Sequence, residues 1–94
     1  MATATFNGTV VARSDDIEIV EGNAYFPVDS LDRRYVVDSD RTSVCPWKGT
    51  ASYWDVVVDG ERAADAAWYY PEPEDGAEQV AHRVAFYPVV TVSS

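Results

Sequence analysis

The sequence predicts a mainly β fold: a compact antiparallel sandwich or partly open barrel of seven to eight short strands, with one short helix near the C-terminus. Glycine-containing turn signals recur between short runs of β-branched and aromatic residues, which favour strands. Helical spacing of apolar residues occurs in a single stretch. The 94 residues predict one domain, residues 1–94, and their 47% hydrophobic content is enough for one core.

Tight turns are predicted at three places, each between two strand-like runs. Asn7-Gly8 and Asp59-Gly60 are strong two-residue hairpin signals, because both positions of each pair tolerate a positive φ. Gly22-Asn23 indicates a third turn. If Asp59-Gly60 closes as a two-residue loop without a bulge, it sets the register of the flanking strands. The facing pairs are then Val58 with Glu61, Val56 with Ala63, and Trp54 with Asp65.

Two further segments have a predicted structure. Tyr35-Val36-Val37 is predicted to form a strand that ends at the acidic turn Asp38-Ser39-Asp40. Residues 74–84 are predicted to form a helix of two or three turns, weakened by Gly76. Acidic residues at its start and His82 at its end suit the helix dipole. Its apolar face would consist of Ala77, Val80, Ala81 and Val84.

The charge balance is strongly acidic, with 16 acidic against 7 basic residues and a net charge of −9. Nucleic acid and anionic membrane surfaces are disfavoured as partners, because both require a basic patch that this chain cannot assemble. An acidic, lysine-poor chain is typical of a salt-rich cytosol, where salt screens the repulsion, and predicts a halophilic source. A GC-rich genome without salt adaptation is the alternative.

The chain has one cysteine and one histidine, Cys45 and His82. An intramolecular disulfide is therefore impossible, and a zinc site of about four Cys or His ligands cannot form within one subunit. No metal and no cofactor is predicted. Neither a signal-peptide core nor a run of about 18 apolar residues is present, which predicts a cytoplasmic protein.

The most unusual stretch is residues 45–54, which contain the lone thiol, the only lysine and three aromatic rings. We interpret it as a ligand site in which Lys48 contacts an anion and aromatic rings form apolar walls. The alternative is a structural turn, with Lys48 paired to an acid, an unusual φ at Gly49 and the tryptophans in the core. The candidate ligand-binding residues are Cys45, Trp47, Lys48, Gly49, Tyr53, Trp68, Tyr25 and His82.

These motifs, in this order, resemble those of domain-of-unknown-function family 427. The resemblance covers nearly the whole chain and rests on Asn7-Gly8, Tyr25-Phe26-Pro27 and residues 45–54, 66–73 and 84–87. Members commonly carry a histidine shortly before the Cys-Pro pair, where this chain reads Asp40-Arg41-Thr42-Ser43-Val44. Any mechanism that needs such a histidine is therefore not expected here.

The family is sometimes labelled nucleotidyltransferase-like, which would imply paired carboxylates that hold Mg²⁺ and a Gly-Ser turn that holds the triphosphate. Asp38 and Asp40 have the spacing of such a pair, but no Gly-Ser motif precedes them. In a chain with 16 acidic residues, a solvated turn is the favoured interpretation.

The leading hypothesis is a small-anion ligand-binding or interaction module, with its site at the Cys-Pro-Trp-Lys-Gly loop. The alternative is an enzyme acting on a nucleotide or small anionic metabolite, with Lys48 as electrostatic stabiliser and Cys45 or His82 in proton transfer. A scaffold without a pocket is a third hypothesis. A binder or enzyme requires a pocket where Lys48 and Tyr53 converge with Tyr25, Trp68 or His82. A homodimer would enlarge so small a core by pairing edge strands.

Overall fold

Nine strands in two antiparallel sheets make up the computed structural model, which describes residues 1–93. They are β1 (Ala2–Phe6), β2 (Thr9–Ser14), β3 (Glu18–Val20), β4 (Asn23–Pro27), β5 (Val36–Cys45), β6 (Gly49–Val58), β7 (Glu61–Tyr69), β8 (Arg83–Phe86) and β9 (Thr91–Ser93). A three-stranded sheet has the order β2-β1-β9 and a six-stranded sheet the order β3-β4-β8-β7-β6-β5. The predicted mainly β, antiparallel fold is confirmed, with nine strands within residues 1–93 where seven to eight were predicted, and the two sheets do not close into a barrel.

The six-stranded sheet buries apolar side chains on both of its faces. Alternation along β6 sends Trp54 and Val56 towards the three-stranded sheet, and Ala51 and Tyr53 to the opposite face. The first face forms the larger core with β1 and β2. The second core is closed by the segment that follows β7, and its members are Val20, Tyr25, Ala51, Tyr53, Trp68, Tyr70, Ala77, Val80 and Ala85.

Two of the three predicted turns are confirmed, and the third is shifted by one residue. Asn7-Gly8 and Asp59-Gly60 have positive φ at both positions, as a two-residue hairpin loop requires. The third loop is Glu21-Gly22, not Gly22-Asn23, because Asn23 already pairs with Val20. Complete burial of Tyr25 fixes this register, since a one-residue slip would turn its ring to the other face of the sheet.

A bulge in β7 at residues 64–66, opposite Asp55, changes the predicted register of β6 and β7. Val58 faces Glu61 and Val56 faces Ala63, as predicted, but Trp54 faces Ala67, so the prediction of Asp65 was wrong. The register slips because Asp65 takes a φ of +53° and its amide donates to Asp55 Oδ1 at 2.8 Å. A polar side chain buried in the sheet thus sets the bulge.

The predicted acidic turn at residues 38–40 is also wrong, because β5 continues through it with an irregularity between Asp38 and Thr42. Asp38 accepts a hydrogen bond from Trp54 Nε1 at 2.8 Å, and the Ser39 hydroxyl donates to Asp65. These bonds to β6 and β7 replace the solvent contacts of a turn, so the strand does not end there.

The predicted helix over residues 74–84 is reduced to one 3-10 turn, Glu78–Val80. Gly76 and His82 have φ of +92° and +58°, and left-handed residues at both positions leave no room for α-helical turns. Ala77 and Val80 are nevertheless buried, since their spacing also suits a 3-10 turn. Within residues 1–93, no helix has the length and hydrophobicity needed to cross a bilayer.

Candidate functional site

The Cys-Pro-Trp-Lys-Gly motif forms the connection between β5 and β6. Cys45 and Gly49 are the last paired residues of the two strands, and residues 46–48 make the loop between them. Gly49 has a φ of +113°, and a Cβ atom there would lie 3.1 Å from the carbonyl oxygen of Glu72. The Glu74 amide donates to the Lys48 carbonyl at 3.0 Å. The hairpin tip is therefore packed tightly against residues 71–76.

Gly49→Ala is expected to lower the free energy of unfolding by about 2 kcal/mol, because the new methyl group adds a close contact to an unfavourable φ. Gly76→Ala is the matched control: its φ is also positive, but nothing lies within 4 Å of the added Cβ. Urea unfolding compares the two. Equal losses would contradict the close packing of residues 71–76 on the hairpin.

Lys48 is buried and already holds an anion, the carboxylate of Glu21. Its side chain is 7% exposed, and its Nζ bonds to Oε1 of Glu21, whose side chain is 52% exposed. Trp47 Nε1 donates to the other oxygen of Glu21 at 3.4 Å. The rings of Trp47 and Tyr70 each lie with their centroids 5.4 Å from the ammonium. This pairing agrees with the alternative interpretation of the loop, in which Lys48 is paired to an acid of the chain, whereas the contact of Lys48 with a ligand remains a prediction.

Both groups of this ion pair are charged at neutral pH. Burial acts to lower the pKa of Lys48, but the hydrogen bond to Glu21 and the nearby Tyr25 and Tyr70 leave that pKa above its ordinary value. The hydrogen bond from Lys48 in turn lowers the pKa of Glu21. The ion pair therefore stabilises the charged form of Lys48.

Seven of the eight candidate residues lie on this hairpin or in the second core beneath it. Tyr25 is fully buried, and its hydroxyl accepts a hydrogen bond from Trp68 Nε1 at 3.1 Å. Trp68 faces Tyr53 across β6 and β7, and the hydroxyls of Tyr53 and Ser43 are 2.8 Å apart. Cys45 is partly buried against the same core. Lys48 lines neither of the two clefts beside its loop.

The eighth candidate, His82, lies in a different place, a cleft of about 570 Å³ that we name the Arg33 cleft. Tyr70 contributes to its wall and also contacts Lys48, so the two regions are neighbours. Sequence reasoning missed most of the cleft, since its residues come from distant segments. They are Asp16, Pro27, Val28, Asp29, Arg33, Trp54, Tyr69, Tyr70, Pro71, Ala81, His82 and Arg83.

An arginine and two aromatic rings form a stack in this cleft. The guanidinium carbon of Arg33 lies 4.6 Å from the centroid of the Trp54 ring, which stacks on Tyr69 at 4.0 Å. Arg33 is exposed and forms no salt bridge within residues 1–93. By contrast, Arg34 pairs with Asp32 at 2.7 Å. The sequence offered no local signal to distinguish these adjacent arginines.

The cleft is much less negative than the chain as a whole. Its two carboxylates, Asp16 and Asp29, balance the two guanidinium groups of Arg33 and Arg83, whereas the whole chain has a net charge of −9. Arg83 is already bound to Asp16 at 2.9 Å. Arg33, by contrast, has no carboxylate within salt-bridge distance among residues 1–93. In the described part of the chain, no three His, Cys, Asp or Glu side chains are grouped to hold a metal ion.

Comparison with known families agrees with the resemblance seen in the motifs. The model of a family described as a domain of unknown function, DUF427, matches residues 1–93. No curated protein matches the chain significantly. The match thus extends over both the hairpin motif and the Arg33 cleft.

Proposed function

We propose that the chain, which belongs to the domain-of-unknown-function family DUF427, is a binding module for a small anion in the Arg33 cleft. The observation that carries the proposal is an exposed guanidinium that has no carboxylate partner among residues 1–93, beside a cleft of about 570 Å³ in a strongly acidic protein. Five of the seven Lys and Arg side chains form a salt bridge with an acid of residues 1–93, as Arg34 does with Asp32, whereas Arg13 and Arg33 form none. A carboxylate or phosphate group suits Arg33, because the guanidinium binds both in a bidentate manner.

The walls of the cleft support a ligand with some apolar surface. Trp54, Tyr69 and Pro71 line it, and such apolar walls with a few polar groups are typical of small-molecule sites. His82 adds a second group that can donate a hydrogen bond to an anion. Arg33 rather than Lys48 is the residue that contacts the anionic ligand, because Glu21 already neutralises Lys48.

The geometry supports binding better than catalysis. The groups proposed for proton transfer are separated, since His82 lines the Arg33 cleft and Cys45 lines a cleft beside the hairpin. An enzyme with Lys48 as electrostatic stabiliser would have to exchange Glu21 for its substrate. Each binding event would then break the Lys48–Glu21 ion pair and lose its stabilisation.

Arg33→Gln is expected to abolish ligand-induced stabilisation, because it removes the charge without removing the polar side chain. Thermal melts with inorganic phosphate, pyrophosphate and citrate, at ionic strength matched with NaCl, provide the measurement. A ligand at about 100 times its Kd raises the unfolding free energy by roughly 2.7 kcal/mol, which corresponds to roughly 10 °C or more in a domain of this size.

Arg34→Gln is the matched control, since it changes the net charge equally at the neighbouring position. It is expected to keep the full shift in melting temperature. Equal shifts in both variants would indicate a general salt effect, and no shift with any of the three anions would contradict binding of these anions in the cleft.

A further inference from the structure

The hairpin tip carries an apolar surface that the proposed anion site does not use. Val44 is 77% exposed and Trp47 is 40% exposed, and Pro46 between them is also exposed. None of the three lines the Arg33 cleft. A tryptophan, a proline and a valine held together at the surface by one tight turn form a contact surface of the kind that protein partners use.

Two clefts flank this tip and together form an extended groove. One has a volume of about 400 Å³ and is bordered by Val44, Pro46 and Glu72. The other has a volume of about 410 Å³ and is bordered by Pro46, Trp47 and Asp75. Pro46 and Glu74 border both clefts, so a ligand lying across the tip can contact both. This shape suits an extended chain better than a compact small molecule.

The rim of the groove is acidic. Glu72, Glu74 and Asp75 are exposed, and none of them forms a salt bridge with a basic group of residues 1–93. Lys48, the basic residue of the hairpin loop, is neutralised by Glu21. Three carboxylates therefore face whatever occupies the groove, and they favour a positively charged partner.

The tip is held in place before any partner arrives. Trp47 Nε1 donates to Glu21, and the Glu74 amide donates to the carbonyl of Lys48. These bonds fix the aromatic ring and the acidic rim relative to each other. Little conformational entropy is then lost on binding.

We propose that the hairpin tip is a docking surface for a basic, extended segment of a partner protein. Apolar side chains of the segment contact Val44, Pro46 and Trp47, and its Lys or Arg side chains pair with Glu72, Glu74 and Asp75. A second copy of this chain does not fit, because it would bring a second acidic rim and a net charge of −9.

The test uses the whole chain and two fluorescein-labelled peptides of twelve residues. Both peptides carry three leucines separated by serines, and they differ only in having three arginines or three glutamates. Fluorescence anisotropy at 0.15 M salt measures binding, and amide NMR shifts locate it. The arginine peptide is expected to bind with shifts confined to residues 44–49 and 71–76, and the glutamate peptide is expected not to bind.

Two variants and two controls connect the binding to this surface. Val44→Ser is expected to weaken binding about fivefold, as loss of an exposed apolar contact does. The double change Glu72→Gln, Asp75→Asn is expected to weaken it roughly fivefold through two lost surface ion pairs. Val89→Ser and Glu18→Gln, at exposed positions elsewhere, are the controls and are expected to bind normally.

Three results would overturn the proposal. The first is equal binding of both peptides. The second is an equal loss in the controls, which would indicate unspecific attraction to an acidic chain. The third is a dimer in sedimentation equilibrium that Val44→Ser dissociates, which would assign the surface to a second copy. Arg33→Gln is expected to leave peptide binding unchanged, so failure of the anion proposal is distinguishable from failure of this one.

Discussion

Replacing Asp55 with alanine is expected to lower the free energy of unfolding by about 3 kcal/mol, a large loss for a single change in so small a domain. Asp55 is 7% exposed, and its two oxygens accept hydrogen bonds from the Asp65 amide and from Arg62 Nε, each at 2.8 Å. Alanine leaves the Asp65 amide without its partner while that residue keeps its left-handed φ of +53°. Urea unfolding at pH 7 measures the loss.

The same carboxylate makes stability depend on pH in a defined direction. The hydrogen bond from the Asp65 amide holds the pKa of Asp55 below its ordinary value, against the effect of burial and with help from Arg62. A folded-state pKa below the unfolded value of about 3.9 means that this stabilisation is complete above about pH 5 and is lost as the pH falls through the folded-state pKa.

Asp55→Asn is therefore expected to lose less stability than the wild-type chain between pH 5 and pH 3. Asp40→Asn is the control, because Asp40 is exposed and its change alters the net charge equally. If both variants lost the same stability between pH 5 and pH 3, the pH dependence would come from overall charge repulsion and not from the bulge.

The bulge also connects stability to the Arg33 cleft. By slipping the register, it places Trp54 opposite Ala67, and Asp38 then fixes the indole through its Nε1. Trp54 is the ring on which Arg33 rests. Loss of the bulge is therefore expected to disturb the proposed anion site as well as the sheet.

Features that depend on neighbouring residues were predictable from the sequence. Asn7-Gly8 and Asp59-Gly60 form the expected hairpins because the φ preference of each pair determines the loop. Glu21 shows the opposite case. It has a left-handed backbone conformation that a glutamate does not favour. Two tertiary effects hold it there, the fit of Tyr25 in the core and the ion pair with Lys48, and neither is visible in the local sequence.

The candidate site was predictable only in part, for the same reason. The motif at residues 45–49 was recognisable by its composition, and it forms the tight loop between β5 and β6. Its acidic partner, Glu21, lies 27 positions earlier in the chain, and no local pattern indicates it. The Arg33 cleft is assembled from six separate parts of the sequence, so no single motif marks it.

The second large effect is expected at this ion pair, where the two partners are not equivalent. Glu21→Gln leaves the Lys48 ammonium buried without a countercharge, and we expect the melting temperature to fall by about 10 °C. Lys48→Met is expected to cost less, because the Glu21 carboxylate is half exposed and water can solvate it. Glu18→Gln changes an exposed acid on β3, three residues before Glu21, and as the control it is expected to change the melting temperature little.

The double variant Glu21→Gln, Lys48→Met distinguishes the cost of a buried unpaired ammonium from the cost of a lost contact. If the cost of Glu21→Gln comes from the buried ammonium, adding Lys48→Met removes that charge and raises the melting temperature above that of Glu21→Gln alone. If the losses simply add, the ammonium is solvated without Glu21. Lys48 would then be open to an external anion, which would return the site to the hairpin.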